Sequence, residues 1–227
     1  FQRINVELWG RSFELLDLGD SVSEWLSRVM NKSGLRMCML PRDLDRAPDA
    51  YHYDYLAKEY DSSSTEFKPV VQNSLSDDFP FHLATMNSLD ELNSKLEEKV
   101  EMIRFRPNFV IGRNRRLEPY CEEKWKRIEI VQPGAEENPE ATVHMFNLQV
   151  KTRCTMTNVN PATGKRSDYG PFQKLRETNL NRVYDQPIFG INTVNTEADV
   201  GKWIKKGSVV RVLDYHPEPV ARVPSSN

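Results

Sequence analysis

The sequence predicts a mixed α/β fold that is mainly β: a barrel or bent sheet with a few helices packed outside. Two observations carry this. Short apolar or alternating runs recur along the chain, separated by turn residues, and they outnumber the stretches with helical periodicity. Aromatic residues make up 10% of the chain, too rich a share for disorder.

Taken in order, Ile4, Val6 and Leu8 alternate along a strand that ends near Trp9. Asp20-Ser21 precedes a helical stripe of Val22, Trp25, Leu26 and Val29, with the N-cap ahead of it. Leu35 to Leu40 reads as a short buried strand. Residues 41–78 are rich in Asp, Ser, Tyr and Pro and read as a long polar loop. Ser88-Leu89-Asp90-Glu91 has the form of a capping box, opening a helix whose face holds Leu89, Leu92, Leu96 and Val100. Strands are expected at Phe109-Val110-Ile111, around Trp125, Ile128 and Ile130, and over 142–150. Residues 132–141 form a polar turn, and 173–180 form a short helix. Strands over 188–194 and 208–213 complete the β-rich second half, and the Pro-bearing tail from His216 is expected to fray.

The 227 residues are enough for one large domain or two small ones with a real core. An apolar share of 38% is lean and fits long polar loops. With 31 Lys+Arg against 33 Asp+Glu, the charge balance argues against a general nucleic-acid binder. No run approaches the length of a membrane span, and no signal peptide is visible. The chain does not open with Met, which fits a fragment or a processed form. Three cysteines are an odd number without metal-ligand spacing, and the four histidines form no ligand pair, so a reducing, cytoplasmic setting is expected.

Three segments carry possible chemistry. In Arg104-Phe105-Arg106-Pro107-Asn108, two arginines two residues apart would share one side of an extended segment. Their planar forks suit phosphate, with the Asn108 amide beside them. A solvated charged face is the other reading. In Lys151-Thr152-Arg153-Cys154-Thr155-Met156-Thr157-Asn158, a thiol follows two cations and precedes hydroxyl and amide groups. That suits a nucleophile or metal ligand, whereas a buried cysteine would act as a small hydrophobe. Asn160-Pro161-Ala162-Thr163-Gly164 is a turn signal.

The ordered set of Ser76-Asp77, Pro80-Phe81, Ser88-Leu89, Leu92-Asn93, Phe105-Arg106-Pro107-Asn108, Trp125, Ile128, Thr152-Arg153-Cys154, Asn160 to Gly164, Phe189-Gly190 and 207–210 resembles the MOSC family. This family includes the C-terminal domain of molybdenum-cofactor sulfurases and the mitochondrial amidoxime-reducing components. The resemblance implies a MOSC-type β-barrel with flanking helices over 70–215. Residues 1–69 would be a partial N-terminal associated region, and 216–227 a tail. It implies a molybdenum cofactor (molybdopterin) held through Cys154, either as metal ligand or as persulfide carrier. Asp77 would lie beside the metal pocket as a catalytic residue. Arg104, Arg106, Asn108, Thr152, Arg153 and Asn158 would bind the cofactor.

The activity implied is reduction of N-hydroxylated substrates, with a haem protein and a flavin reductase as electron donors. Alternatives are a sulfur-carrier module or a non-catalytic MOSC scaffold. Two departures stand out. Lys151 occupies the place of a second cysteine found in many relatives, so a persulfide relay between neighbouring thiols is not expected. The Pro-x-Lys-Ser phosphate-binding stretch of the usual N-terminal segment is not in this chain. Pyridoxal phosphate enters only as a family-level association, because the desulfurase domain that binds it is also missing. A mitochondrial location is the alternative to a cytoplasmic one, should an anchor precede residue 1.

Overall fold

The computed structural model describes residues 2–8, 10–41, 69–70, 75–76, 79–134, 141–181 and 185–219. The chain divides into two units, 1–47 with 72–77, and 48–71 with 78–227.

The first unit is built on an antiparallel hairpin of β1 (Gln2–Leu8) and β2 (Arg11–Asp17), with the two-residue strand β3 (Cys38–Met39) beside β2. Gly10 turns the hairpin at φ 72°, a conformation that costs glycine little. Helix α1 (Asp20–Val29) follows Gly19, whose N–H donates to Asp17 Oδ1 at 2.9 Å. The cap therefore lies at Gly19, one residue before the expected Asp20-Ser21, and no side chain caps the helix. The run 35–40 is not a buried strand. Only Cys38 and Met39 pair with β2, and Met39 is exposed; the backbone of Leu35 bonds instead to the Ser23 and Ser27 hydroxyls. Strand β2 was not legible in the sequence as a separate element.

The second unit is a curled half-barrel sheet. Its strands are β4 (Pro69–Val70), β5 (Phe81–Thr85), β6 (Phe109–Ile111), β7 (Trp125–Val131), β8 (Thr142–Thr152), β9 (Leu180–Asn181), β10 (Gln186–Thr196) and β11 (Val209–Tyr215). The order is β11-β7-β8-β10-β5-β6, with β4 and β9 also pairing β10. Among the described strands only β5 and β6 run parallel, so their connection must cross over, and helix α2 (Met86–Ser94) supplies part of it. Helix α3 (Pro171–Thr178) packs against β10. Register shifts in β10 between Ile188 and Ile191 and between Asn192 and Thr193 bend the sheet.

Leu83, Trp125, Ile128, Ile130, Val143, Met145 and Ile191 form one buried cluster on this sheet. Ala84, Leu89, Leu92, Val100, Phe105, Leu175 and Phe189 form a second, under the helices. The capping box moves upstream: the cap of α2 is Thr85, whose Oγ1 accepts the Ser88 N–H at 3.1 Å. Ser88 lies inside the helix instead and is buried. The helix also stops at Ser94. Val100 still reaches the core because the Asn93 amide clamps its N–H and C=O at 2.8 and 2.9 Å.

Most of the long polar loop lies outside the described residues, as do 135–140 of the polar turn and 220–227 of the tail. His216, where the tail begins, is buried, and its N–H donates to the Lys124 carbonyl at 2.7 Å.

Candidate functional site

Cys154 sits where β8 ends. Its backbone is held on both sides while its thiol is exposed. On one side the Arg153 N–H donates to the Pro187 carbonyl at 2.8 Å. On the other, Cys154 opens a 3₁₀ turn over Thr155–Asn158, and its carbonyl accepts the N–H of Thr157 at 3.3 Å and its hydroxyl at 3.1 Å. The reading of Cys154 as a small buried hydrophobe is thereby corrected. Among the described residues no cluster of three or more His, Cys, Asp or Glu is arranged to hold a bare metal ion.

The arginine segment lies against this turn. The extended geometry expected for residues 104–108 is also corrected. Met102–Phe105 is a 3₁₀ turn, and Arg106 follows in the left-handed region at φ 54°. The cause is Phe105, which is 1% exposed and stacks on Phe189 with centroids 3.9 Å apart. Seating that ring curls the backbone around it. A non-glycine residue held left-handed costs about 1–3 kcal/mol, supplied by the surrounding contacts.

Two guanidinium groups tie the segments together reciprocally. Arg153 Nη2 donates to the Phe105 carbonyl at 2.8 Å, and Arg104 Nη1 donates to the Asn158 carbonyl at 3.2 Å. Arg153 also lies over the Phe105 ring at 5.7 Å. Arg106 is exposed, and Thr152 is half-buried at the end of β8.

Asn108, exposed, and Asn158, buried, hold the backbone around the site. The backbone N–H of Asn108 donates to the His82 carbonyl at 2.8 Å, and its side-chain oxygen accepts the His82 N–H at 2.8 Å. Asn158 is 1% exposed. Its Nδ2 donates to Gln173 Oε1 at 2.7 Å and to the Ser167 carbonyl at 3.2 Å, while Oδ1 accepts the Phe172 N–H at 3.0 Å. This amide joins the turn after Cys154 to the start of α3. Gly170 is required there, because a Cβ would come within 2.8 Å of Asn158 Oδ1. Asp77 lies outside the described residues.

Two features were missed by reading the sequence. His82, 6% exposed, places a ring nitrogen 3.1 Å from the Phe189 carbonyl. Burial, then the charges of Arg153 and Lys151, push it down to about 3, so it is neutral. Gly190 makes room for it: a Cβ would lie 2.5 Å from both His82 Nε2 and the Leu83 carbonyl, at φ 77°. The Phe189-Gly190 pair was the available signal.

The second feature is an acid pair. Glu122 is fully buried and accepts from Ser88 Oγ at 2.8 and 2.9 Å and from the Thr85 hydroxyl at 3.2 Å. Burial raises its carboxyl above the usual range. Glu123 accepts from Asn179 Nδ2 at 2.8 Å, and Asn179 Nδ2 also donates to the Ile188 carbonyl at 3.1 Å. Ile188 pairs with Thr152, so this acid supports the strand end that carries Cys154. Two adjacent glutamates in a charged stretch gave no sign of burial.

The second unit is a β-rich, curled half-barrel domain that presents an exposed cysteine, with an arginine segment bound to the turn after it. The MOSC domain pattern matches residues 71–212, and the chain belongs to that family. The chain is 27% identical over 192 residues to mitochondrial amidoxime-reducing component 1 of Homo sapiens, covering 80% of this chain and 48% of the relative. The same-named protein of Danio rerio is 27% identical over 190 residues, covering 82% and 49%. Mitochondrial amidoxime reducing component 2 of Bos taurus is 24% identical over 190 residues, covering 81% and 49%. The chain thus spans about half the length of the curated relatives it matches.

Proposed function

We propose that this chain is the MOSC portion of a molybdenum-cofactor oxidoreductase that reduces N-hydroxylated substrates. The reading is supported above all by the exposed Cys154 thiol on a loop bound to the arginine segment by two guanidinium–carbonyl hydrogen bonds. The donor chemistry fits the cofactor. A soft sulfur suits molybdenum, and arginine suits the cofactor's phosphate.

Cys154 would hold the metal. Arg106, exposed beside the site, would hold the anionic end together with Arg104, Arg153 and Thr152. Asn108 and Asn158 would act through the backbone they fix: the Asn108 side-chain oxygen is taken by His82 and the Asn158 amide by Gln173 and Phe172. Asp77 is proposed as a substrate- or proton-positioning group. When bound, the cofactor supplies two-electron oxygen-atom chemistry. Overall, an N–OH compound, two electrons and two protons give the N–H compound and water. A haem protein would deliver the electrons one at a time and be re-reduced by a flavin reductase. The relatives' names are mitochondrial, and we extend that location to this chain. No described helix is long and apolar enough to cross a membrane.

The test is elemental analysis for molybdenum after expression with cofactor supply, in the wild type and in Cys154→Ala. Stoichiometric metal that the variant loses supports the reading. Metal absent from both counts against it. The sulfur-carrier alternative predicts instead an intact-mass adduct of one sulfur on Cys154, removed by reductant.

A further inference from the structure

We propose that His82 is a positioning residue: its ring holds Arg106 in the turn from which that arginine would grip a phosphate. This rests on the reading of Arg106 as an anion-binding residue and assigns what keeps it in place. Arg106 lies in the left-handed region, at φ 54° and ψ 45°, and Pro107 follows it. Both facts count against that conformation. A side chain disfavours the left-handed region, and a residue before proline is pushed toward extended backbone. Left to its sequence neighbours, Arg106 would straighten and carry its exposed guanidinium elsewhere.

The segment is anchored on both sides of Arg106. Phe105 stacks on Phe189 with centroids 3.9 Å apart. The Asn108 N–H donates to the His82 carbonyl, and Asn108 Oδ1 accepts the His82 N–H, each at 2.8 Å. Between these anchors the Arg106 N–H donates to the Ile103 carbonyl at 3.1 Å. Its carbonyl falls to His82. The ring bonds to the backbone of Arg106 as well as to the Phe189 carbonyl, the latter at 3.1 Å. Both contacts favour the protonated ring, so both partners are acceptors. One side chain thus ties the arginine's peptide to β10. Gly190 leaves the ring its place there, since a Cβ would lie 2.5 Å from His82 Nε2.

The charges acting on the ring are those of Arg153 and Lys151, while Asn192, directly across in β10, is uncharged. Burial and those two cations keep the ring neutral, its value pushed down to about 3. A neutral imidazole has one N–H to share between two carbonyls. His82 therefore acts by its shape and that one donor, and it brings no charge of its own to the anion.

The test uses the full chain and two readouts, with circular dichroism checking that each variant is folded. The first is amide exchange by NMR at Arg106 and Asn108 in the wild type and in His82→Phe, which keeps a ring and loses its N–H. We expect protection at Arg106 to fall about tenfold as the strained turn is released. Protection at Asn108 should hold, because its partner is the backbone of residue 82. The second is calorimetric titration with inorganic pyrophosphate. Arg106→Ala should weaken binding about thirtyfold and His82→Phe about tenfold. The double variant should bind no more weakly than Arg106→Ala, because His82 acts through that arginine. The gap between wild type and His82→Phe should be level from about pH 6 to 8, where the ring is neutral.

Unchanged protection at Arg106 in His82→Phe overturns the proposal. So do equal losses at Arg106 and Asn108, which would mark a general loosening, and additive losses in the double variant. A gap that widens as pH falls overturns it as well, since it would make the imidazolium a direct contact of the anion. Pyrophosphate that fails to bind the wild type, with the Arg106 amide behaving as expected, sinks the anion reading alone.

Discussion

Replacing Glu123 with Gln should change how stability depends on pH, in a direction fixed by burial. Glu123 is 5% exposed. Burial first, then the Glu122 charge, working against the Asn179 hydrogen bond, raises its carboxyl from 4.5 to about 7. The native protein therefore keeps a proton that the unfolded chain releases between those values. Stability from this group is full below the unfolded pKa and is lost as pH rises through 7. The difference corresponds to about 3 kcal/mol.

Gln fills nearly the same space and offers Asn179 an oxygen, but it does not titrate. The stability of Glu123→Gln minus that of the wild type should rise by about 3 kcal/mol from pH 4.5 to 8 and be level outside that window. Urea unfolding at a series of pH values reads this, followed by tryptophan fluorescence, since Trp125 is 2% exposed in the adjoining strand. A difference that stays constant across the window would refute the account of Glu123 as an acid protonated by burial.

His82 gives the opposite slope. With its folded value at about 3 against 6.5, its stabilisation is present above 6.5 and fades as pH falls toward 3. The stability deficit of His82→Gln should accordingly shrink over that range in the same urea experiment. Gly190→Ala should cost more than about 2 kcal/mol, because its Cβ meets His82 and a backbone carbonyl at a positive φ; a loss under 0.5 would contradict the crowding. Thr85→Ala should cost about 1 kcal/mol for the lost cap of α2 and somewhat more for the hydroxyl withdrawn from buried Glu122. Cys154→Ala should leave urea stability within about 0.5 kcal/mol of wild type, since the exposed thiol is outside the core.

Much of the fold follows from local pattern. Strands β6, β7, β8, β10 and β11 fall on the runs read as strands, and α1 and α3 fall near the stretches read as helices. The long run in β10 is legible for a related reason. A strand covered on both faces reads as a long unbroken run, and nearly all of Gln186–Thr196 is buried. Element ends were less legible. The cap of α2 lies at Thr85 and not at Ser88, because Ser88 is claimed by a glutamate from 34 residues away.

The types of residue at the candidate site, a cysteine among cations and an Arg-Pro-Asn segment, stood in the sequence itself. Their meeting did not. It depends on Phe105 stacking on Phe189, 84 positions later by number, and on arginines reaching carbonyls across the loop. Spacing along a chain reports which neighbours share a face. It carries no information on which distant backbone carbonyl a guanidinium will find, or on whether a glutamate will be covered. Those outcomes are set by closure of the sheet, which brings chain-distant strands together and withdraws water from what lies between them.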